Sequence, residues 1–196
     1  MPDSQIWRCD LELKRGCRVL VEAASGTGKS SLCAYLYGTR DDYEGTITFD
    51  GVDARSFGVE QWQVLRRTSL AYLPQELSLF PELTAMENIM LKNDLTEALD
   101  EARIGEWLRE LGIESRADSP VGRMSVGQQQ RVALIRSLCQ PFDFILLDEP
   151  VSHLDDANNA IVARIVEQRA EELGAGIIAT SVGNRISIPD LTTLLL

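Results

Sequence analysis

The stretch Ala23-Ala24-Ser25-Gly26-Thr27-Gly28-Lys29-Ser30 lies between an apolar run at 19–21 and a segment with helical spacing at 31–37. A strand, a glycine-containing turn and a helix start in this order form a P-loop, whose backbone N–H groups surround phosphate oxygens. The unpaired N–H groups at the helix start add to the attraction for an anion. Lys29 supplies a point charge for the β- and γ-phosphates, and the Ser30 hydroxyl can bind Mg²⁺. The stretch therefore predicts a nucleotide-binding turn.

The residues expected to contact the nucleotide are the loop and the first residues of its helix. They are Ala23, Ala24, Ser25, Gly26, Thr27, Gly28, Lys29, Ser30 and Ser31. Ala23 stands where a P-loop usually begins with glycine, which is tolerable if that position does not need a positive φ. The alternative is a strand-to-helix turn that binds nothing, and the Gly28-Lys29-Ser30 triplet in this context argues against it.

Composition excludes several classes of protein. The 196 residues include 19 basic and 30 acidic side chains, for a net charge of −11, so we expect no nucleic-acid partner. No apolar run approaches the roughly 20 residues of a membrane span, and the N-terminus lacks a signal-peptide pattern. The four cysteines are scattered without CxxC spacing, which favours packed thiols over zinc ligands. We therefore expect a cytoplasmic protein.

Apolar runs and helical patterns alternate along the chain. Strands are expected at 6–13, 18–22, 45–51, 69–73, 142–147, 176–180 and 192–196, and helices at 31–37, 59–65, 98–111 and 157–173, with a further helix that follows 125–128 and ends at 138. Such alternation predicts a mostly parallel sheet covered on both faces. Thr84 to Glu87 and Asp94 to Glu97 both have the form of a helix-capping box. We expect a single domain at 1–196 with a small helical subdomain inserted at 82–123.

Three polar side chains follow buried strands and are candidates for chemistry. Asp148 comes after four apolar residues, at the end of a strand where open α/β sheets bind ligands, and beside a P-loop it would hold Mg²⁺. Glu149 is next and can orient or deprotonate an attacking water. Gln75, after Pro74, offers an amide oxygen for Mg²⁺ or for the water, but taken alone it is an ordinary polar loop residue. An acidic strand-to-loop turn without a role is the alternative, and the upstream P-loop disfavours it.

The segment Met124-Ser125-Val126-Gly127-Gln128-Gln129-Gln130-Arg131 resembles the signature motif of ATP-binding-cassette (ABC) ATPases. Together with the P-loop, Gln75, Asp148-Glu149-Pro150 and the loop 152–155, it resembles that family from about residue 11 to residue 180. The resemblance implies a RecA-like α/β P-loop NTPase with an antiparallel edge subdomain and a helical insertion. Within the family, the Gln75 region and the insertion are similar to transporter subunits of the lipoprotein-release and macrolide-export types.

The resemblance implies how such a chain works. Two cassettes pair head to tail and hold ATP and Mg²⁺ between one P-loop and the partner's signature segment, here Ser125, Val126, Gly127 and Gln128. Mg²⁺ would be held by Ser30, Gln75 and Asp148, and catalysis would involve Glu149, Gln75, Lys29 and Ser181. ATP-driven closure would power a membrane permease subunit docked near Gln75 and the insertion, at the inner face of the membrane. The side chains at 77, 79, 80 and 83 are either that docking surface or a local core.

Three departures from the family pattern leave alternatives open. The position of the family's γ-phosphate histidine is Ser181, and Val126 replaces the first signature glycine. Trp7 is either a substitute for the adenine-stacking aromatic or a packed strand residue. These departures favour a second hypothesis, a slowly hydrolysing cassette that acts as an ATP-binding switch or as partner of a more active cassette. A third hypothesis is an ABC ATPase that acts on DNA or ribosomes, but the sequence lacks the basic face and the heptad repeat expected of such a protein.

Overall fold

A computed structural model describes residues 4–24 and 26–196. Seven strands occur in these residues: β1 (Arg18–Glu22), β2 (Thr48–Phe49), β3 (Val52–Asp53), β4 (Leu70–Leu73), β5 (Phe144–Leu147), β6 (Gly176–Ser181) and β7 (Thr192–Leu195). Five of them form one sheet in the order β4-β5-β6-β1-β7, and every neighbouring pair is parallel. The other two form an antiparallel pair joined at Asp50-Gly51. The predicted α/β class with a mostly parallel sheet is confirmed.

The described residues also contain six α-helices, of which the first follows the P-loop. They are α1 (Lys29–Leu36), α2 (Val59–Thr68), α3 (Ala85–Asn93), α4 (Glu101–Glu110), α5 (Val126–Leu138) and α6 (Asp156–Leu173). Short 3₁₀ turns lie at Ala54–Ser56, Glu114–Arg116 and Val121–Arg123. None of these helices combines the length and the apolar character needed to cross a membrane.

The core lies on both faces of the parallel sheet, because successive side chains of a strand point to opposite faces. A large cluster joins Leu20, Ile145 and Ile177 of the strands to the apolar sides of α3 to α6. A smaller cluster joins Val19, Leu146 and their neighbours to α1. The fully buried Trp107 of α4 belongs to the large cluster, which attaches the helices at 85–110 to the rest of the fold.

The expected strand at 6–13 is not formed, and this prediction is wrong. The Ser4 hydroxyl accepts hydrogen bonds from the N–H groups of Ile6 and Trp7, at 3.2 and 2.9 Å, and closes a turn. Arg8 then has a φ of 63°, which a strand does not allow. The alternation of apolar residues predicted a half-buried strand, but hydrogen bonds to the Ser4 hydroxyl form a turn instead.

The second predicted capping box is wrong as well. Asp94 lies at the C-terminal end of α3, and α4 begins later, with the Asp100 side chain accepting from the Arg103 N–H. The buried Asn93 amide exchanges two hydrogen bonds with the backbone of Leu99, at 2.9 and 3.1 Å, and so fixes the intervening segment as a turn. The first box is correct, because Thr84 and Glu87 cap each other's backbone at the start of α3.

Candidate functional site

The parallel sheet brings the candidate residues to one edge, where its strands end. β1 runs into the P-loop, β4 into Pro74-Gln75 and β5 into Asp148, and β6 ends at Ser181. In parallel strands these carboxyl ends share one edge, which is the ligand-binding edge of open α/β sheets. Four separate segments of sequence therefore face a common space.

The P-loop turns into α1 at Gly28, whose φ of 105° explains why a glycine stands there. Lys29 is only 4% exposed, and its ammonium donates to the carbonyls of Ala23 and Ala24 at 3.1 and 3.0 Å. Thr27 also donates to the Ala24 carbonyl, at 2.7 Å. No side chain of the described residues caps the start of α1, so its first N–H groups have no side-chain acceptor, as an anion site requires. Ser25 lies outside the described residues.

The Asp148 carboxylate is 2% exposed and has two unequal oxygens. Its Oδ1 accepts a 2.6 Å hydrogen bond from the Thr180 hydroxyl. Its Oδ2 is buried and has no hydrogen-bond partner among the described residues. Burial raises the pKa of the nearby Cys33 thiol well above its usual range, and the Asp148 charge raises that pKa further. A buried, bare carboxylate oxygen is the kind of ligand that Mg²⁺ uses.

Ser30 and Gln75 meet at the same edge of the sheet. The Ser30 hydroxyl donates to Oε1 of Gln75 at 3.3 Å, although 45 residues separate them in sequence. Both supply neutral oxygen atoms, which together with the free oxygen of Asp148 make a donor set that suits a hard cation. The residues therefore fit Mg²⁺.

Glu149 follows Asp148 with a φ of 51°, in the left-handed region that non-glycine residues rarely occupy. Two side chains hold its backbone: its N–H donates to Thr180 Oγ1 at 3.1 Å, and its carbonyl accepts from Gln130 Nε2 at 3.1 Å. Sequence reasoning missed both of these residues. Thr180 could have been found as a polar residue at the end of a buried strand next to β5, by the rule that selected Asp148. The run of three glutamines at 128–130 gave no sign of which one is buried.

The signature-like segment forms the start of α5. Ser125 is the N-cap, and Ser125 and Gln128 bond each other's backbone at 3.0 and 3.3 Å. Val126 is the first residue of the helix and does not have a positive φ. Its side chain is 51% exposed. Gly127 has a local reason to be glycine, because a Cβ there would lie 3.0 Å from the His153 carbonyl oxygen.

Ser181 is buried, and its hydroxyl is committed to a local turn. It donates to the Asn184 carbonyl and accepts from the Gly183 N–H, both at 3.0 Å. The Asn184 amide in turn donates to the Val151 carbonyl at 2.8 Å, which ties this turn to the loop after Glu149. The exposed His153 lies in that loop, with its Nδ1 3.0 Å from the Ser152 hydroxyl.

Trp7 packs beside the P-loop. Its ring is close to Gly28 and meets the Tyr35 ring edge-on, with centroids 6.3 Å apart. The side chain contacts the smaller core cluster, as the packed interpretation expected, but it does so from a turn and not from a strand.

A cleft of about 730 Å³ opens beside Ser30 and Ser31 and reaches α3 and α5. Phe80, 54% exposed, lines it, whereas Leu77 and Leu79 pack against the large core cluster. Its basic lining includes Arg136, whose guanidinium donates to the carbonyls of Leu77 and Ser78 at 2.7 and 2.8 Å. The apolar segment 77–83 is thus divided between core and surface.

The model of the ABC transporter family matches residues 7–152 of this chain. The lipoprotein-releasing system ATP-binding protein LolD of Novosphingobium aromaticivorans is 32% identical over 175 residues, which cover 87% of this chain and 78% of that protein. LolD of Syntrophotalea carbinolica is 32% identical over 181 residues, covering 91% and 80% of the two chains. The ribose import ATP-binding protein RbsA of Streptococcus agalactiae is 30% identical, but the match spans only 36% of that protein.

Solved structures agree with these relatives. The dimeric structure of MJ0796, a bacterial ABC transporter cassette, superimposes with a TM-score of 0.79 at 26% identity, covering 94% of this chain and 84% of that one. The same cassette in a dimeric post-hydrolysis state bound to ADP and Pi gives a TM-score of 0.78 at 26% identity, covering 87% and 77%. The chain therefore belongs to the ABC transporter family and has the P-loop NTPase fold of an ABC cassette.

Proposed function

We propose that this chain binds and hydrolyses ATP and that ATP-dependent pairing of two cassettes powers a membrane transporter. One observation carries the proposal: the ends of β1, β4 and β5 gather a P-loop lysine, an amide and two adjacent carboxylates at one edge of the sheet. The buried Oδ2 of Asp148, which has no hydrogen-bond partner among the described residues, also supports the proposal, because a buried polar atom of this kind usually has an ordered water or an ion as its partner.

Ser30, Gln75 and Asp148 would hold Mg²⁺, which neutralises charge on the β- and γ-phosphates when bound. Lys29 would exchange its loop carbonyls for phosphate oxygens, with the loop amides and the start of α1 completing the cradle. Glu149 would orient the attacking water and accept its proton. The nucleotide contacts proposed for this chain are those of residues 23–31 and, from a partner cassette, of residues 125–128.

Pairing is supported by the exposure of the signature-like segment. Ser125 and Val126 are exposed at the N-terminus of a 13-residue helix, where the helix dipole would stabilise the phosphates of a nucleotide bound to a facing chain. The neighbouring MJ0796 structures are both described as dimeric. A second cassette, identical or different, is the proposed partner.

We further propose a single domain at 1–196 with a helical subdomain at 82–123. The cleft beside Ser30 is the proposed docking place for a permease subunit, because its lining includes the two neighbours of Gln75 in sequence and Leu91 and Lys92 of α3, a helix of that subdomain. LolD is named as part of a lipoprotein-releasing system, and a transporter role for this chain follows that similarity. The chain would then act at the cytoplasmic face of the membrane.

The second candidate function is an ATP-binding switch with slow turnover, alone or beside a more active cassette. The specific observation in its favour is Ser181, whose only hydroxyl proton is donated to Asn184. A serine engaged in this way has no proton left for a phosphate oxygen.

A phosphate-release assay on the purified chain separates the two candidates. Turnover that requires Mg²⁺ and disappears in Glu149→Gln supports the hydrolysing subunit. ATP binding by calorimetry without such turnover supports the switch. Absence of ATP binding would contradict both.

A further inference from the structure

The unusual backbone of Glu149 has a partner on each side. Its φ of 51° is costly for a residue with a Cβ, and such conformations persist where the surroundings determine them. We propose that Thr180 and Gln130 are positioning residues that together hold the Glu149 backbone in this conformation and so aim its carboxylate. This inference rests on the proposed role of Glu149 in hydrolysis.

Thr180 acts on the N–H side of Glu149. It is 1% exposed, and its hydroxyl lies between Oδ1 of Asp148, at 2.6 Å, and the Glu149 N–H, at 3.1 Å. A carboxylate only accepts hydrogen bonds, so the single hydroxyl proton goes to Asp148 and a lone pair remains for the N–H. One side chain therefore fixes both the metal-holding carboxylate and the peptide that leads to the base.

Gln130 acts on the carbonyl side. It is 2% exposed, its Nε2 donates to the Glu149 carbonyl at 3.1 Å, and its Oε1 accepts from the His153 N–H at 3.2 Å. The amide thus spans both ends of the loop 149–153. Since Gln130 lies on α5, the helix that begins with the signature-like segment, a movement of that helix would be felt at Glu149.

Losing either contact would let φ relax to the negative values that other residues prefer, which would swing the Glu149 carboxylate away from its position. ATP would still meet the P-loop. The expected signature is therefore a loss of turnover without a loss of nucleotide affinity, which an overall loosening of the fold would not produce.

The test compares single-turnover phosphate release, Mg-ATP affinity and Mg²⁺ requirement in a set of variants of the full chain. Thr180→Val keeps the shape and removes the hydroxyl, and Thr180→Ser restores it. Gln130→Met removes the amide, and Gln130→Glu keeps an acceptor for His153 while removing the donor to Glu149. Asn93→Leu is the control, because it removes a buried amide whose two hydrogen bonds go to the backbone of Leu99, in the turn between α3 and α4.

We expect Thr180→Val, Gln130→Met and Gln130→Glu to slow turnover by about 10- to 100-fold at unchanged ATP affinity in saturating Mg²⁺, since small misplacements of a catalytic group have costs of this order. Thr180→Val alone also raises the Mg²⁺ requirement, through Asp148, and Thr180→Ser recovers most of the rate. Asn93→Leu lowers the thermal midpoint and keeps the parent rate.

Three results would overturn the inference. Parent rates in Thr180→Val and Gln130→Glu, while Glu149→Gln is inactive, would overturn the positioning role and leave the proposed function intact. Losses that follow the thermal midpoint and appear equally in Asn93→Leu would also overturn it. A parent protein no faster than Glu149→Gln would overturn the proposed hydrolysis, and the positioning role with it.

Discussion

The two regions proposed to contact ATP differ in how many contacts within the chain hold their residues in place. At the strand-end edge, Lys29 is buried against loop carbonyls, Ser30 meets Gln75, and Asp148 is fixed by Thr180. At the start of α5, the side chains of Ser125 and Gln128 cap each other's backbone, and Val126 faces solvent. The first region is assembled by tertiary contacts, whereas the second is a capped helix end.

The difference indicates where substitutions should act. Changes at the strand-end edge should alter nucleotide binding already in the single chain, because contacts within one chain position the residues there. Changes at the start of α5 should have little effect until a second chain faces it.

Glu149→Gln should lower turnover by about 10²- to 10⁴-fold, the usual contribution of a general base, and leave Mg-ATP binding intact. The amide preserves the shape of the side chain and removes a negative charge beside the triphosphate. An ATP-bound dimer should accumulate, visible by size-exclusion chromatography with and without ATP. Hydrolysis at the parent rate would show that Glu149 is not the base.

Lys29→Ala should weaken ATP binding by roughly 100-fold or more, since losing a desolvated charge contact costs about 2–5 kcal/mol. Its burial adds a second expectation: two loop carbonyls lose their donor, so stability should fall by about 1–2 kcal/mol. Titration calorimetry and thermal unfolding measure the two effects. Lys14→Ala, at an exposed lysine, is the control and should change neither.

Much of the fold could be predicted from the sequence because local and tertiary preferences agree there. The apolar runs at 144–147 and 176–181 are buried strands, and the capping box at Thr84 is formed as its spacing predicts. The strand predicted at 6–13 is wrong because the Ser4 hydroxyl accepts hydrogen bonds that close a turn, which the alternation of apolar residues does not reveal. The helix start predicted at Asp94 is wrong because the buried Asn93 fixes a turn there, and no short sequence pattern reveals that contact.

The candidate site likewise contains residues that the sequence predicted and residues that it did not. Motif spacing predicted Asp148, Gln75 and Ser30, and the sheet places the segments that carry them at one edge. Gln130 contacts Glu149 from 19 residues away and Thr180 from 31, so their roles depend on packing that spacing does not encode. Sequence patterns find the groups that face a ligand more readily than the groups that hold them.

Ser181→His should increase turnover at saturating ATP by at least tenfold, since one transition-state contact is typically worth about 10²–10³ in rate. The gain requires the new side chain to leave the turn that Ser181 now holds with Gly183 and Asn184. Ser181→Ala separates the two effects: it should lower stability by about 1 kcal/mol and give no gain in rate. A parent that already turns over briskly, with no benefit from histidine, would contradict the ranking of Ser181 as the weak point.

Val126 offers the smallest and sharpest test of the division between the two regions. Because it is the first residue of α5, with a helical backbone, its side chain and not its φ would hinder a facing phosphate. Val126→Gly should tighten the ATP-dependent dimer and lower the stability of the fold by up to the roughly 0.5–1 kcal/mol that glycine costs a helix. Val126→Ala removes most of the bulk without that cost, so it should tighten the dimer while keeping the stability of the parent. Val64→Ala, at an exposed valine of α2, is the matched control and should leave the dimer unchanged. Sedimentation in the Glu149→Gln background with ATP measures all three. Equal dimer affinities for parent, Val126→Ala and Val64→Ala would place the start of α5 outside the pairing surface.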